Sequence, residues 1–351
     1  MDKILMSGNE AIGEGAIRAD CTLYAGYPIT PQNELTAFMA RRMKESGRSF
    51  LQAESELAAI NMVFGAAAAG ARAMTSSSSP GISLKQEGIS YLAGCELPAV
   101  VVNVMRGGPG LGNIASSQAD YFQATRGGGH GDYFTPVLAP WSVEEAAQHT
   151  MQAFDLADFY RTPVLVLADA IIGQMMEAVE LPEASRFSRP LPKKTWALSG
   201  AQGRRPNIIK SFFLEEGGLE RHNEHLREKW EKLREKEQQS AYYGPETARI
   251  LLIAYGSQAR IAKEAVDLLT KEGMRIGLFR PVSLCPFPDH ALKKHAKEKK
   301  MVLVVEQSLG QMVEDVRRVI RDTPVLFFGK TGGGIPSSQD IVSHLKKVLE
   351  K

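Results

Sequence analysis

The chain has 351 residues, of which 44% are hydrophobic, so it is long enough for two or three domains with apolar cores. Its 42 lysine and arginine residues balance 40 acidic residues, and the net charge of +2 gives no electrostatic reason to expect binding to nucleic acid or to a membrane surface. No apolar run is long enough to cross a bilayer, the first residues lack a secretory pattern, and the three widely spaced cysteines are typical of a reducing compartment. These features predict a cytoplasmic α/β protein.

Residues 1–180 are predicted to form a first domain in which helices and strands alternate. The segment "PAVVVNV" (98–104) is continuously apolar, which is typical of a strand buried on both faces of a parallel sheet. The alternation predicts a parallel sheet with helices on both faces.

The segment "GYPITP" (26–31) places Thr30 between two prolines, after a strand and before a helix. Proline restricts the backbone on both sides, so the Thr30 hydroxyl is held at the end of the strand. We predict Thr30 at the N-cap and Pro31 at the first helical position. An ordinary, well-capped turn without a binding role has the same pattern.

The next strand is followed by two glutamates, Glu54 and Glu56, on either side of a predicted capping serine. The helix that follows has no polar face over residues 57–69, so it is predicted to be buried. Glu56 is favoured by the helix dipole, but a carboxylate at the start of a buried helix is costly without a partner. Glu56 is therefore either a helix-start residue or a ligand-binding group.

The loop "RGGPGLGN" (106–113) follows the apolar strand, and its glycines do not have the GxGxxG spacing of a dinucleotide site. Gly107 and Gly108 are instead expected to let the backbone approach a cofactor closely. Arg106 lies at the carboxyl end of the strand, where open α/β sheets bind ligands. Its planar guanidinium suits a carboxylate, and a structural ion pair is the alternative.

A second glycine loop, "ATRGGGHGDY" (124–133), contains Arg126 and His130. His130 is a candidate acid, base or substrate contact, and a hydrogen-bonded surface histidine is the alternative.

Residues 181–245 are predicted to be a proline-rich and charged helical linker, because Trp230 and Leu233 give the helix only a thin apolar stripe. Residues 246–351 again alternate strands and helices, which predicts a smaller, doubly wound domain. Its "FFGKTGGG" (327–334) suggests a phosphate-binding loop, but Pro324 stands where that motif requires glycine.

The strand ends of the first domain would bring together a hydroxyl, a glutamate, an arginine and a histidine. Hydroxyl and guanidinium donors suit the carbonyl and carboxylate of a small 2-oxo acid. The sequence lacks a nucleophile elbow, a metal-ligand cluster and a phosphate loop, so a cofactor must supply the chemistry.

Four motifs in order, "GYPITP", "QAESELAAINMVFGAAAAGARAMTSSSSPG", "VNVMRGGPGLG" and "QATRGGGHGDY", resemble the alpha subunit of the 2-oxoacid:ferredoxin oxidoreductases, of the ketoisovalerate (3-methyl-2-oxobutanoate) type. The resemblance implies that the first domain is a pyrimidine-binding domain for thiamine diphosphate. It implies that residues 246–351 form a transketolase C-terminal-like domain.

The resemblance also implies roles for single residues. Thr30 would bind the 2-oxo group and Arg106 the carboxylate of the substrate. Glu56, rather than Glu54, would pair with the aminopyrimidine ring of the cofactor. Coenzyme A would accept the acyl group, and ferredoxin would receive the electrons.

The chain lacks the GDG-type motif that the diphosphate and its Mg²⁺ need, and it lacks grouped cysteines for iron–sulfur clusters. The resemblance therefore implies that both lie on partner subunits: a beta subunit, a gamma subunit and a small ferredoxin-like delta subunit. The missing motif argues against a stand-alone thiamine enzyme.

Two alternatives stay open. Arg126 and His130 would serve a second carboxylate if the substrate were 2-oxoglutarate. A non-catalytic nucleotide-binding or scaffold protein could have the same fold, but it would not explain Thr30, Glu56 and Arg106 together.

Overall fold

The first part of the chain alternates strands and helices in the computed structural model, which describes residues 3–181 and 183–350. In chain order the elements are β1 (Ile4–Ser7), α1 (Gly8–Arg18), β2 (Leu23–Gly26), α2 (Asn33–Glu45), β3 (Ser49–Gln52), α3 (Glu56–Ala68), β4 (Ala73–Ser77), α4 (Ser79–Gly94), β5 (Ala99–Met105), α5 (Tyr121–Arg126), β6 (Val137–Leu138), α6 (Val143–Tyr160), β7 (Pro163–Asp169), α7 (Ala170–Gln174) and β8 (Met176–Val179).

The second part begins with a long helix and continues with a smaller alternating unit. Its elements are α8 (Gly218–Lys236), β9 (Ser240–Tyr243), β10 (Ile250–Ile253), α9 (Gly256–Lys271), β11 (Ile276–Pro281), β12 (Ser283–Cys285), α10 (Asp289–Ala296), β13 (Met301–Glu306), α11 (Met312–Val319), β14 (Val325–Gly329) and α12 (Ser338–Leu349). In the part of the chain that the structure describes, no helix has both the length and the apolar composition that crossing a membrane requires.

The larger sheet has seven strands in the order β12-β6-β7-β5-β4-β2-β3. Every neighbouring pair is parallel except β12 and β6. Every residue of β5 and β7 is buried, because helices cover both faces of the sheet at its centre. The predicted α/β fold, a parallel sheet with helices on both faces followed by a smaller doubly wound unit, is confirmed.

The smaller sheet has the order β14-β13-β10-β11-β9, and only its edge strand β9 is antiparallel. Each sheet has an edge strand from another part of the chain. In the smaller sheet, β9 comes from the predicted linker, and in the larger sheet, β12 of the second unit pairs with β6 of the first. The two units are thus joined by a strand as well as by the connecting chain.

Helix α8 lies on the first unit along the apolar stripe that the sequence shows. Leu233 is buried, and the ring of Trp230 stacks on Phe134 with the ring centroids 4.6 Å apart. At the edge of the stripe, Lys229 forms a 2.9 Å ion pair with Glu96. The linker helix is therefore packed against the first unit, and its charged face is exposed to solvent.

A buried ion pair joins helix α6 to the second unit. Both terminal nitrogens of Arg280 donate to the Glu145 carboxylate, at 2.8 and 2.7 Å. One turn further along α6, His149 is fully buried, and neither of its ring nitrogens has a hydrogen-bond partner among the described residues. Burial lowers the pKa of His149 from 6.5 to about 4, an effect that Glu145 opposes and that Arg280 and Arg186 reinforce.

We predict that His149→Leu flattens the pH dependence of stability between pH 6.5 and about pH 4.5. The unfolded chain binds a proton at this histidine more readily than the folded chain. The contribution of neutral His149 to stability is therefore complete above pH 6.5 and is lost as the pH falls towards 4. From about pH 7 to about pH 4.5 the unmodified chain should lose roughly 2 kcal/mol more than the variant. Urea unfolding midpoints at several pH values measure this, and equal losses in both proteins would contradict it.

Candidate active site

The candidate site lies at one edge of the larger sheet, where four neighbouring parallel strands end. The strands are β5, β4, β2 and β3, in this spatial order. Arg106 follows β5, the first turn of α4 follows β4, Thr30 follows β2, and Glu56 follows β3. Because the carboxyl ends of parallel strands meet at the same edge, Thr30, Glu56 and Arg106 come together as predicted, and the first turn of α4 lies among them.

The predicted helix cap at Thr30 is wrong. Helix α2 begins at Asn33 with Gln32 as the preceding residue, since residues 29–32 form a turn that the Gln32 N–H closes by donating to the Ile29 carbonyl (3.0 Å). The Thr30–Pro31 peptide bond in this turn is cis. The Thr30 hydroxyl accepts a hydrogen bond from the Asn33 side chain at 3.1 Å, so its own proton is free to be donated.

Hydrogen bonds from three parts of the fold hold this turn. The buried Asn9 amide donates to the Pro31 carbonyl at 2.9 Å. Gln32 is fully buried, and its side-chain oxygen accepts a bond of 2.6 Å from Ser76 at the end of β4. The Thr30 carbonyl accepts a bond of 2.9 Å from Arg106. The turn is therefore fixed by buried polar contacts in addition to its prolines.

The guanidinium of Arg106 has N–H groups that make no hydrogen bond among the described residues. Arg106 is 7% exposed, and its two terminal nitrogens donate to the backbone carbonyls of Thr30 (2.9 Å) and Leu111 (3.2 Å). Its Nε is buried and makes no hydrogen bond among the described residues. No carboxylate of this chain forms an ion pair with it in the described ranges, so the predicted alternative of a structural ion pair is wrong. A guanidinium has five N–H groups, and those that are still unused can donate hydrogen bonds to an anion.

The first turn of α4 connects the separate parts of the site. Ser79 Oγ accepts the Arg106 N–H at 3.0 Å and donates to the Asp120 carboxylate at 2.6 Å. Asn103 holds the same turn through the Ser79 N–H (3.1 Å) and also donates to Asp120 (2.9 Å). Burial raises the pKa of Asp120, and these two hydrogen bonds oppose that shift. The backbone of Arg106 is thereby fixed against α4.

Two residues further along α4, Gly81 leaves room for the carboxyl group of Glu56. A Cβ atom at Gly81 would lie 2.5 Å from Glu56 Oε1 and 2.0 Å from Ser77 Oγ, so only glycine fits this position. Glu56 is 6% exposed, yet no donor of the described chain forms a hydrogen bond or ion pair with its carboxylate. The hydroxyls of Ser77, which also borders Gly81, and of Ser78, at the start of α4, are likewise buried without a hydrogen-bond partner among the described residues.

A buried lysine lies behind Glu56. Lys85 is fully buried and donates to the Thr75 hydroxyl (3.0 Å) and to the backbone carbonyl of Glu56 (3.3 Å). Burial lowers the pKa of Lys85 to about 8, and the negative charge of Glu56 opposes this shift. Lys85 therefore fixes the first residue of α3 and places a cationic group near its carboxylate.

The prediction that helix α3 is buried is wrong for this chain. Leu57 is 46% exposed, and Asn61 and Gly65 on the same side of the helix are also exposed. Helix α3 has the predicted hydrophobic composition, but the side that carries Leu57, Asn61 and Gly65 has no covering element from the described residues. This uncovered side begins directly beside Glu56.

The glycines after Arg106 have different surroundings. Gly107 is buried, and a Cβ atom there would lie 2.4 Å from the Asn113 side chain, so the close approach at this position is made by the loop itself. Gly108 is exposed and faces open space.

Arg126 and His130 form no hydrogen bond or ion pair with Thr30 or Arg106. The His130 carbonyl is bound by Ser90, which is 11 residues, or about 16 Å of helix, away from Ser79. Arg126 forms an ion pair with Asp315 (3.4 Å) and lines, together with Trp230, a cavity of about 450 Å³. The structure thus brings Thr30, Arg106 and Glu56 around the first turn of α4 and leaves the other two residues outside this group.

Sequence reasoning missed Ser79, Gly81, Lys85 and Asp120. The run "TSSSSPG" (75–81) contained a usable signal, because serines before a proline at a helix start are typical of a chain that bonds its own backbone. Asp120 and Lys85 had no local signal, since their partners lie far away in the sequence.

Two family models match the chain. The model described as pyruvate flavodoxin/ferredoxin oxidoreductase, thiamine diphosphate-binding, matches residues 14–241. The model described as pyruvate:ferredoxin oxidoreductase core domain II matches residues 248–341.

Curated relatives match over almost the full length. Ketoisovalerate oxidoreductase subunit VorB of Methanothermobacter marburgensis is 47% identical over 98% of this chain and 97% of its own. The 2-oxoglutarate synthase subunit KorA of Archaeoglobus fulgidus is 40% identical over 94% of this chain and 95% of its own.

Solved structures show the same fold. A 2-oxoglutarate:ferredoxin oxidoreductase from Magnetococcus marinus, solved with 2-oxoglutarate, coenzyme A and succinyl-CoA bound, superposes with a TM-score of 0.90 at 26% identity, over 99% of this chain and 65% of that one. A split-gene transketolase, described as an inactive beta4 tetramer, has a TM-score of 0.63 at 15% identity over 98% of both chains, a likeness of fold alone. The resemblance seen in the sequence is confirmed: this chain belongs to the 2-oxoacid:ferredoxin oxidoreductases, as a subunit with the thiamine diphosphate-binding domain of that family.

Proposed function

We propose that this chain is the alpha subunit of an enzyme that oxidatively decarboxylates a branched-chain 2-oxo acid, 3-methyl-2-oxobutanoate, to its acyl-CoA and passes the electrons to ferredoxin. The observation that carries the proposal is the pairing of Arg106 with the Thr30 turn. The Arg106 guanidinium is buried, has unused donors and donates to the Thr30 backbone carbonyl at 2.9 Å. It therefore lies next to the Thr30 hydroxyl, whose proton is free to be donated. The 47% identity to ketoisovalerate oxidoreductase subunits supports the choice of substrate.

Arg106 and Thr30 bind and orient the substrate in this proposal. The remaining N–H groups of Arg106 would bind its carboxylate, and the Thr30 hydroxyl would donate to its 2-oxo group. Both residues are fixed by buried contacts before substrate arrives, so little conformational freedom is lost on binding.

The residues around Glu56 fit the aminopyrimidine ring of thiamine diphosphate. The Glu56 carboxyl group and the Ser77 hydroxyl both border Gly81 and have no hydrogen-bond partner among the described residues, so they suit a planar ring that carries both donors and acceptors. When bound, thiamine diphosphate supplies the carbon nucleophile for the 2-oxo group and accepts the electron pair left by decarboxylation. The carboxyl of Glu56 would share a proton with the ring nitrogen, and Lys85 would hold its backbone in place.

Partner subunits complete the site in this proposal. The uncovered side of α3, with the exposed Leu57, begins beside Glu56, so a neighbouring chain on this surface would also close the site. The beta subunit would hold the diphosphate, its Mg²⁺ and at least one iron–sulfur cluster, and a gamma subunit and a small ferredoxin-like delta subunit would complete the assembly. The three cysteines of this chain are buried free thiols at widely separated positions of the chain, which supports clusters held elsewhere and a cytoplasmic location.

The geometry gives less support to 2-oxoglutarate as the substrate. A second carboxylate needs a second cation near Arg106, whereas Arg126 is paired with Asp315 and His130 lies along the far part of α4. Because some relatives are named as 2-oxoglutarate synthase subunits, the experiment below includes 2-oxoglutarate as a substrate.

The function is tested by assembling the complex from co-expressed subunits and following viologen dye reduction with three acids. We expect 3-methyl-2-oxobutanoate to give a higher kcat/KM than 2-oxoglutarate or pyruvate. The chain purified alone should fold but remain colourless and retain little thiamine diphosphate, because its cysteines are scattered and it lacks the acidic diphosphate motif. Tight binding of cofactor and Mg²⁺ by the lone chain, or a preference for 2-oxoglutarate, would contradict the proposal.

We predict that Glu56→Gln leaves the complex assembled but lowers kcat by about 10²-fold or more, the scale of an essential proton-transfer group. The substitution keeps the shape that fits against Gly81, so folding should be unaffected. Glu54→Gln is the matched control: Glu54 is exposed, and this variant should retain most of its activity. More than half of the normal rate in the Glu56 variant would refute its assignment.

We predict that Arg106→Lys raises the KM for the 2-oxo acid by roughly 10- to 100-fold, because lysine cannot reproduce the planar fork of donors. The affinity for thiamine diphosphate should stay unchanged. Arg126→Lys should alter neither value, because Arg126 contacts Asp315 and the ring of Phe122 instead. Loss of cofactor affinity with an unchanged KM would make Arg106 a cofactor residue.

A further inference from the structure

The loop that follows Arg106 closes back on that residue. Arg106 forms an isolated antiparallel bridge with Ser116. Inside the loop, the Gly107 N–H donates to the Ala115 carbonyl (2.9 Å), and the Asn113 N–H donates to the Gly107 carbonyl (3.1 Å). Since Arg106 Nη2 donates to Leu111 at the tip of the loop (3.2 Å), the direction of the guanidinium depends on the loop's conformation.

The second unit holds the base of this loop through a buried glutamine. Gln307 follows β13 and is 1% exposed. Its side-chain oxygen accepts the Ser116 hydroxyl at 3.0 Å, and its side-chain nitrogen donates to the Gly334 carbonyl at 3.4 Å. The Gln307 carbonyl accepts the Gln118 N–H at 2.8 Å, and the Gln307 N–H donates to the Gln118 side-chain oxygen at 3.1 Å. Three of the four polar groups of Gln307 thus join the two units, and its side-chain nitrogen binds Gly334 within the second unit.

A second contact joins the tip of the same loop to the glycine run of the second unit. The Asn113 side chain donates to the Gly332 carbonyl at 3.0 Å. A Cβ atom at Gly333 would lie 2.7 Å from the Cβ of Ala115, so glycine is required there for the two loops to touch. This packing accounts for the run "FFGKTGGG" (327–334) without a phosphate ligand.

We infer that Gln307 is a positioning residue for substrate binding, which acts through Ser116 on the loop 107–116 and so on the guanidinium of Arg106. The inference rests on the proposed role of Arg106. The loop needs such a support because it is rich in glycine and residues 108–114 are exposed, so its conformational entropy is high when it is free. Anchoring both its base and its tip to the second unit removes that entropy before the substrate binds.

The test is a double-mutant cycle in the assembled complex with Gln307→Ala, Ser116→Ala and the double variant. We expect each single change to raise the KM for 3-methyl-2-oxobutanoate by about 3- to 10-fold, the effect of one buried hydrogen bond. The double variant should show no larger rise than Gln307→Ala, since both changes remove the same bond. The kcat should stay within about twofold, because neither residue touches the cofactor face at Glu56.

Arg260→Ala is the matched control for loss of contact between the two units. It removes bonds to the Trp141 carbonyl (3.1 Å) and to Glu177 (2.8 Å), far from the loop, and should leave the KM unchanged. Amide hydrogen exchange over residues 107–116 should become faster in Gln307→Ala and stay unchanged in Arg260→Ala.

Two results would overturn the inference. Unchanged exchange in Gln307→Ala would show that the loop does not depend on Gln307, whatever Arg106 does. Faster exchange with an unchanged KM would show that the loop does not govern substrate binding. In that case Arg106→Lys separates the two failures: a raised KM keeps the proposed function and rejects only the support by Gln307.

Discussion

The parallel alignment of β5, β4, β2 and β3 is the constraint on which the site depends. Each strand ends at the same edge of the sheet, and each is followed by one functional segment. Residues 30, 56, 79 and 106 are far apart in the sequence, and the spatial order of their strands differs from the order along the chain. The pairing of strands, rather than any local motif, therefore creates the arrangement of hydroxyl, carboxyl and guanidinium.

Polar groups in the site serve two purposes at once. Arg106 uses two terminal nitrogens to bind backbone carbonyls and leaves other donors unused. Ser79 binds the Arg106 backbone and Asp120 together, so the start of α4 is both a helix terminus and a support for the site. Such networks are costly when one member is missing, because the remaining groups are buried. The rigidity of the site and the stability of this edge of the sheet are consequently coupled.

The sequence predicted those features of the site that have local causes. The apolar pattern of 98–104 located a central strand, and from it the position of Arg106 followed. The sequence did not predict the start of α2 correctly, because the turn closed by Gln32 and Ile29 moves Thr30 away from the helix terminus. For α3, the apolar composition identified a hydrophobic helix but could not specify whether this chain or another covers it. The bond between Ser116 and Gln307 spans 191 residues, so no local pattern encodes it.

Strand β12 has a consequence for the order of folding. Residues 283–285 belong to the second unit in sequence, yet they form an edge of the first sheet, beside β6. During synthesis the first sheet remains unfinished until more than three quarters of the chain has left the ribosome. Until then β6 would lack its neighbour β12, and this edge of the first sheet would be open to other unfolded chains. The two units are therefore expected to mature together, and a fragment that ends within residues 181–245 would expose a surface prone to aggregation.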